Sequence, residues 1–277
     1  MKAIVLSDNR FVNPDYQSEH GLSIYLETDR LKILLDTGAS ELFAQNAIKA
    51  GIDIEGIDYV FISHGHFDHM GGLPYFLENN DHAKIIMSSN IPDQVYKSTR
   101  NGLHDISTVI DYDKYSSRII FVENELNIED SIQIFSCNSK TYPEPLGNKS
   151  LYRSNSQGEL IQDDFNHELI FTFKSDELFV FIGCAHYGVL NILKTVKSRT
   201  KIPVKYVMGG FHMLSSPNEV SFETDEKITD IARIIKDDYS SLNFYTGHCT
   251  SDYAYLKLSS ILENNLTKFY CGFTLEL

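Results

Sequence analysis

The chain has 277 residues, 42% hydrophobic and 22% charged, which is enough apolar side chain to bury a sizeable core and too ordinary a balance for a disordered polymer. Twenty-four Lys and Arg against 38 Asp and Glu leave a net charge of -14, which repels a phosphate backbone and an anionic membrane surface, so neither nucleic acid nor membrane is expected as a partner. The cysteines Cys137, Cys184, Cys249 and Cys271 are widely spaced with no C-x-x-C pair, and no apolar run approaches the ~18 residues that span a bilayer; a soluble, cytoplasmic protein is expected.

The N-terminal MKAIVLSDNR reaches polar residues after a short apolar run and reads as a first strand rather than a signal peptide. Further strands are expected at 22–27, 31–35, 59–62 and 84–87, where β-branched and aromatic residues cluster. Between them ELFAQNAIKAG is helical, with Leu42, Ala47 and Ile48 on one face and Gly51 as its stop. IPDQVYKSTRNG (91–102) is at best helical, 118–122 and 132–135 read as a strand pair, and TYPEPLGNKS (141–150) as loop. From Glu168 the pattern is regular: a hairpin of ELIFTF and LFVFIG around KSDE, the helix VLNILKTVKS, then the strand VKYVMGG. TDEKITDIARIIKDD is a helix capped by Thr224, LNFYTG a strand and SDYAYLKLSSILENN a helix. Nothing repeats at a fixed period, but each half passes from strands to alternating strand and helix, which suggests two sheets face to face with helices outside.

Chemistry concentrates where YVFIS runs into His64, Gly65, His66, Phe67, Asp68 and His69, placing three imidazoles and a carboxylate within six residues at the end of a strand. Neutral imidazole and carboxylate suit zinc, iron or manganese, and the alternate positions His64 and His66 can converge on one ion while Asp68 and His69 turn to another. Two divalent ions are the expected cofactors, zinc first, with iron or manganese as alternatives.

His64-x-His66-x-Asp68-His69 after a strand, with Leu34-Leu35-Asp36-Thr37-Gly38 upstream, resembles the metallo-β-lactamase superfamily, and the resemblance covers essentially the whole chain. It implies a single α/β (α+β) domain over 1–277 in the four-layer αββα sandwich, with Asp36 supporting the metal loop from behind the ligands. The remaining ligands then come from strand ends in the second half: Cys184 and His186 in GCAHYG, His212 in GGFHM, and His248 with Cys249 in TGHCT. His186 and His248 are taken as ligands. Cys184 is a bridging thiolate or a buried small hydrophobe, and His212 a ligand or a catalytic group. Two departures stand out. Gly183-Cys184 occupies the place of a Gly-Asp, and His167 lacks the flanking Thr and Gly of the usual third histidine, so His186 substitutes for it. EHGLS at 19–23, GCxH at 183–186, GGFH at 209–212 and HCT at 248–250 are similar to a subfamily labelled after an archaeal enzyme that joins a dihydropterin to a ribofuranosylaminobenzene phosphate.

The resemblance implies an enzyme acting on a small molecule. Two ions would share an acidified water, Asp68 would orient it or accept its proton, and His212 would protonate a leaving group or bind a substrate anion. A synthase would instead use the ions to hold phosphate oxygens. A catalytically silent metal-binding or sensory protein on the same fold is the alternative. The residues from about 111 to 164 are expected to cover the site. The sequence carries no sign of oligomeric state.

Overall fold

Short stretches of Val, Ile, Leu and Phe become strands here because a buried backbone needs a hydrogen-bonded ladder and its side chains a packed layer. The computed structural model describes residues 1–155, 157–215 and 222–277. The chain divides into two units, Met1–Glu123, Leu151–Leu169 and Phe269–Leu277 in the first, and Asn124–Ser150 and Ile170–Lys268 in the second.

The first unit is built on a seven-stranded sheet, in spatial order Thr274–Glu276, Lys2–Ser7, Ser23–Glu27, Lys32–Leu35, Tyr59–Phe61, Lys84–Ser88 and Ile119–Val122. Its early strands form an antiparallel meander, and from Lys32–Leu35 onward the pairing is parallel. Parallel strands need crossovers, which the helices Leu42–Lys49 and Leu73–Asn79 supply. Leu42–Lys49 buries Leu42, Phe43, Ala44, Asn46 and Ala47 and stops before Gly51 at φ 73°. Ile48, placed on the buried face by the sequence pattern, is 76% exposed. It lies about 100° around the helix from Ala47, and Phe43 with Ala47 defines the inward stripe instead.

A smaller sheet of the same unit runs Leu160–Gln162, Leu151–Ser154, Tyr96–Ser98, His104–Asp105. The segment 91–102, read as at best helical, therefore holds the strand Tyr96–Ser98 and no helix. Asn101 and Gly102, at φ 65° and 97°, turn the chain back so that Lys97 pairs with Asp105, and aromatic Tyr96 favours the ladder it is buried in. The expected pairing of 118–122 with 132–135 does not form either. Ile119–Val122 joins Lys84–Ser88 in the first unit, whereas Ile132–Ser136 closes a local hairpin with Glu125–Ile128 in the second.

The second unit has its own seven-stranded sheet, in order Leu266–Lys268, Asn243–Thr246, Val204–Met208, Leu178–Phe181, Leu169–Lys174, Ile132–Ser136 and Glu125–Ile128. Leu169–Lys174 and Leu178–Phe181 form the expected hairpin, after which Leu178–Phe181, Val204–Met208, Asn243–Thr246 and Leu266–Lys268 run parallel. The helices Val189–Arg199, Asp225–Asp238 and Asp252–Leu262 follow their strands. Asp225–Asp238 buries Ile228, Ala232 and Ile235, one stripe at helical spacing, and Thr224 caps it by accepting from the Lys227 N–H. The segment 141–150 is loop up to Leu146–Ser150, which is a short 3-10 turn. Among the described residues no helix is long and apolar enough to cross a membrane.

Candidate metal centre

In the first unit the chemistry gathers at the C-terminal ends of parallel strands, where the ladder stops and backbone and side chains are released for other work. Lys32–Leu35 ends at Asp36, which adopts φ 57° and is fully buried. Its Oδ1 accepts from the Ser63 N–H at 2.7 Å and its Oδ2 from the Ser63 hydroxyl at 2.7 Å, while His69 Nδ1 lies 2.6 Å from Oδ2. The Ser63 Oγ also meets His64 Nδ1 at 2.9 Å. One carboxylate and one hydroxyl thus engage the Nδ1 side of both rings, so Nε2 is the atom that His64 and His69 present to a metal. The rings of His64 and His69 sit 4.0 Å apart and those of His64 and His66 4.7 Å, all three buried. Asp68 lies on the short helix Phe67–Met70 with its Oδ2 3.9 Å from His69 Nε2 and 3.3 Å from His20 Nε2.

His66 is held differently. Its Nε2 lies 3.5 Å from Oδ2 of Asp163, whose carboxylate is enclosed by His167 Nε2 at 3.1 Å, the Phe165 N–H at 2.8 Å and Arg153 Nε at 4.0 Å. Burial pushes the Asp163 carboxyl up, but His167 and His66 beside it outweigh burial and hold it well below the usual carboxylate range. Burial lowers His66 below the ordinary imidazole value against the pull of Asp163, which favours the neutral ring a metal requires. His167 uses both ring nitrogens, Nδ1 accepting from the Gly65 N–H at 3.0 Å and Nε2 facing Asp163, so it braces the metal-binding loop.

In the second unit three successive strand ends carry the remaining candidates. After Leu178–Phe181 the chain passes Gly183 and Ala185 at φ 53° and 58°, after Val204–Met208 it passes Gly209 and His212 at 144° and 50°, and after Asn243–Thr246 it reaches His248 at 42°. Non-glycine residues in this region are costly, and their concentration at these turns marks backbone bent to aim side chains. Ligand atoms of Cys184, His186 and His212 lie within 4.8 Å of one another, as do those of Cys184, His248 and Cys249. Asn148 secures His186 twice, its Oδ1 accepting from the ring at Nδ1 at 3.1 Å and its Nδ2 donating to the His186 carbonyl at 2.8 Å. His212 is 3% exposed, and neither of its ring nitrogens makes a hydrogen bond to a protein oxygen or nitrogen among the described residues. Burial pushes the Cys249 thiol up, but a hydrogen bond with Cys184 and the nearby His212 and His248 outweigh it and take the thiol well below the ordinary cysteine value.

The family model described as the metallo-β-lactamase superfamily matches residues 19–146. Over the whole chain, the crystal structure of Tm1679, a metal-dependent hydrolase of the β-lactamase superfamily, superposes with a TM-score of 0.82 at 28% identity, covering 100% of this chain and 99% of that one. The chain is thus similar to the metallo-β-lactamase superfamily in sequence over residues 19–146 and in fold over its whole length. Its mixed α/β fold is that superfamily's fold. Two curated relatives, both from Methanocaldococcus jannaschii, are each 26% identical to it. An uncharacterized protein is similar over 92% of either chain, and 7,8-dihydropterin-6-methyl-4-(beta-D-ribofuranosyl)-aminobenzene-5'-phosphate synthase over 86% of this chain and 83% of its own. They support the subfamily suggested by EHGLS, GCxH, GGFH and HCT.

Similarity to the metallo-β-lactamase superfamily implies a divalent metal, and the residues fit one: the donors are imidazole, thiol and carboxylate, and His212, a buried imidazole beside the Cys249 thiol, stands in the second unit's cluster. The structure brings His64, His66, Asp68 and His69 together over Asp36 in the first unit, and Cys184, His186, His212 and His248 together in the second. Sequence reading gave no role to Ser63 in YVFIS or His20 in EHGLS, and missed Asp163 and Asn148, whose contacts form across the fold and carry no motif. It also left Cys249 without a role, although its position beside His248 was a readable signal.

Proposed function

We propose that the protein is a hydrolase-type enzyme acting on an ester, lactone or phosphoester oxygen of a small molecule with two divalent ions, zinc first and iron or manganese as alternatives. His64, His66, Asp68, His69, His186 and His248 are the proposed ligands, with Cys184 as a bridging ligand. The observation that carries the proposal is the buried imidazole trio whose His64 and His69 are fixed through Nδ1 by Ser63 and Asp36, an arrangement that commits their other nitrogens to one task. Metal held there supplies Lewis acidity, polarising a substrate oxygen and acidifying water toward neutral pH. Asp68, beside His20 and His69, accepts the proton of the attacking water. His212 donates a proton to the leaving group or binds its charge. A cavity of about 350 Å³ in the second unit, lined by Tyr142, Leu190, Phe211 and Met213 together with Glu223 and Lys227, suits the organic part of a small substrate.

A synthase is the second reading, favoured by the identity to the dihydropterin synthase over most of both chains. The same ligands would then bind phosphate oxygens. Elemental analysis of the native protein, His66→Ala and Asp68→Ala, paired with assays on phosphoesters, lactones and pterin precursors, tests the proposal. About two equivalents of metal, reduced in both variants, with turnover of one substrate class, is the expected result. Metal without turnover points to a sensory or binding protein. Metal content that the substitutions leave unchanged overturns the ligand assignment.

A further inference from the structure

We infer that Cys249 is a metal ligand, forming with Cys184 and His248 a thiolate-rich site in the second unit that selects a thiophilic divalent ion over magnesium or manganese. The inference rests on the metal-dependent reading above and extends it to a residue outside the proposed ligand set.

Three observations lead there. The ligand atoms of Cys184, His248 and Cys249 all lie within 4.8 Å of one another, and all three side chains are buried. The fold makes room for the Cys249 sulfur in particular: a Cβ on Gly210 would collide with Sγ, so a glycine is required where the neighbouring strand end passes it. The thiol is also oriented, its Sγ accepting the His212 N–H at 3.3 Å and lying 3.6 Å from the Cys184 carbonyl. A cysteine that serves only as a small hydrophobe needs neither a cleared path nor two sulfurs beside an imidazole.

An independent mark of a ligand is His212. Its imidazole is 3% exposed, makes no hydrogen bond to a protein oxygen or nitrogen among the described residues, lies beside the Cys249 thiol, and shares a 4.8 Å group with the same Cys184. Burying an imidazole that no protein oxygen or nitrogen hydrogen-bonds is costly, and a cation that the imidazole and these sulfurs would hold together meets that cost. Two sulfurs and an imidazole form the donor set of zinc and ferrous iron, while magnesium and manganese prefer oxygen ligands.

Cobalt(II) substitution of the metal-free full chain tests this without any need for the substrate. The expected spectrum has a near-ultraviolet sulfur-to-cobalt charge-transfer band, weakened by about half in Cys184→Ser or Cys249→Ser, abolished in the double variant and unchanged in the control Cys137→Ser. Should a variant not fold, X-ray absorption of the native zinc-loaded protein serves instead, with sulfur scatterers expected at ~2.3 Å and at more than one sulfur per thiolate-bound zinc. Zinc should also displace manganese from the native protein, with that preference reduced in Cys249→Ser. Cobalt bound with ligand-field bands but no charge transfer, or a band indifferent to Cys249→Ser, overturns the inference and leaves the histidine-based reading intact. Failure of the native chain to bind cobalt at all overturns both.

Discussion

Asp36 shows how much one buried carboxylate can organise: it takes the Ser63 backbone and hydroxyl on separate oxygens and meets His69 Nδ1 on the second. Asn tolerates the left-handed backbone at φ 57°, so Asp36→Asn removes charge without adding strain. Metal affinity should fall about 10- to 100-fold with little change in the metal-free melting temperature, measured by competition with a chromophoric chelator. Asp163 does the same for His66 from a segment with no metal motif. Because its carboxyl is held below the usual range in the folded chain, its stabilisation is fully present above about pH 4, the unfolded value, and is lost as pH falls toward the lower folded value. Metal-free Asp163→Asn should therefore show a shallower loss of stability on acidification than the native chain. Equal slopes in thermal melts across pH 2 to 5, values chosen about the carboxylate range, would mean that Asp163 and His167 are not coupled in solution. The histidines and Asp68 were legible because their ligand chemistry lies within six consecutive residues. Asp163 was not, because it stands 97 positions beyond His66 and only the fold brings its carboxylate to that ring.

At the scale of elements, the site depends on where strands stop. The strands themselves were readable from composition, and so was the Thr224 cap, whereas the cap at Ser251, three residues past His248, came only with the structure: it accepts from the Ala254 N–H at 3.2 Å and starts Asp252–Leu262. Pairing was less legible. Ile119–Val122 and Ile132–Ser136 have the same strand-like composition, and the choice of partner depends on the Glu125–Ile128 hairpin, whose polar residues give little signal of their own. Tyr96–Ser98 likewise owes its strand to the turn at Asn101 and Gly102. The backbone strain at Ala185, His212 and His248 was invisible in sequence, since only a three-dimensional turn demands it. If the cap and the ligand loop have separate jobs, Ser251→Ala should lower unfolding stability by about 1 kcal/mol while leaving metal content at the native level. Loss of metal in that variant would show that the Asp252–Leu262 helix positions His248 and is more than its neighbour.

For the whole molecule, a metal that binds only the folded chain is a stabiliser by mass action, contributing RT ln(1 + [M]/Kd), about 2.7 kcal/mol when free metal is 100-fold above Kd. Ligand candidates occur in both units, so the stability of each unit depends on metal if its own candidate set binds. The acidic surface adds to this. A net charge of -14 disfavours the compact state through self-repulsion, and bound cations reduce that net charge. Chelation followed by dialysis should therefore lower the melting temperature by about 5 °C, with metal restoring it and added salt recovering only the screening part. His66→Ala should melt near the metal-free native chain, and its melting temperature should respond less to added metal. A melting temperature indifferent to chelator in the native chain, with metal shown to be removed, would mean that the imidazole cluster is stable without an ion and that metal serves chemistry alone.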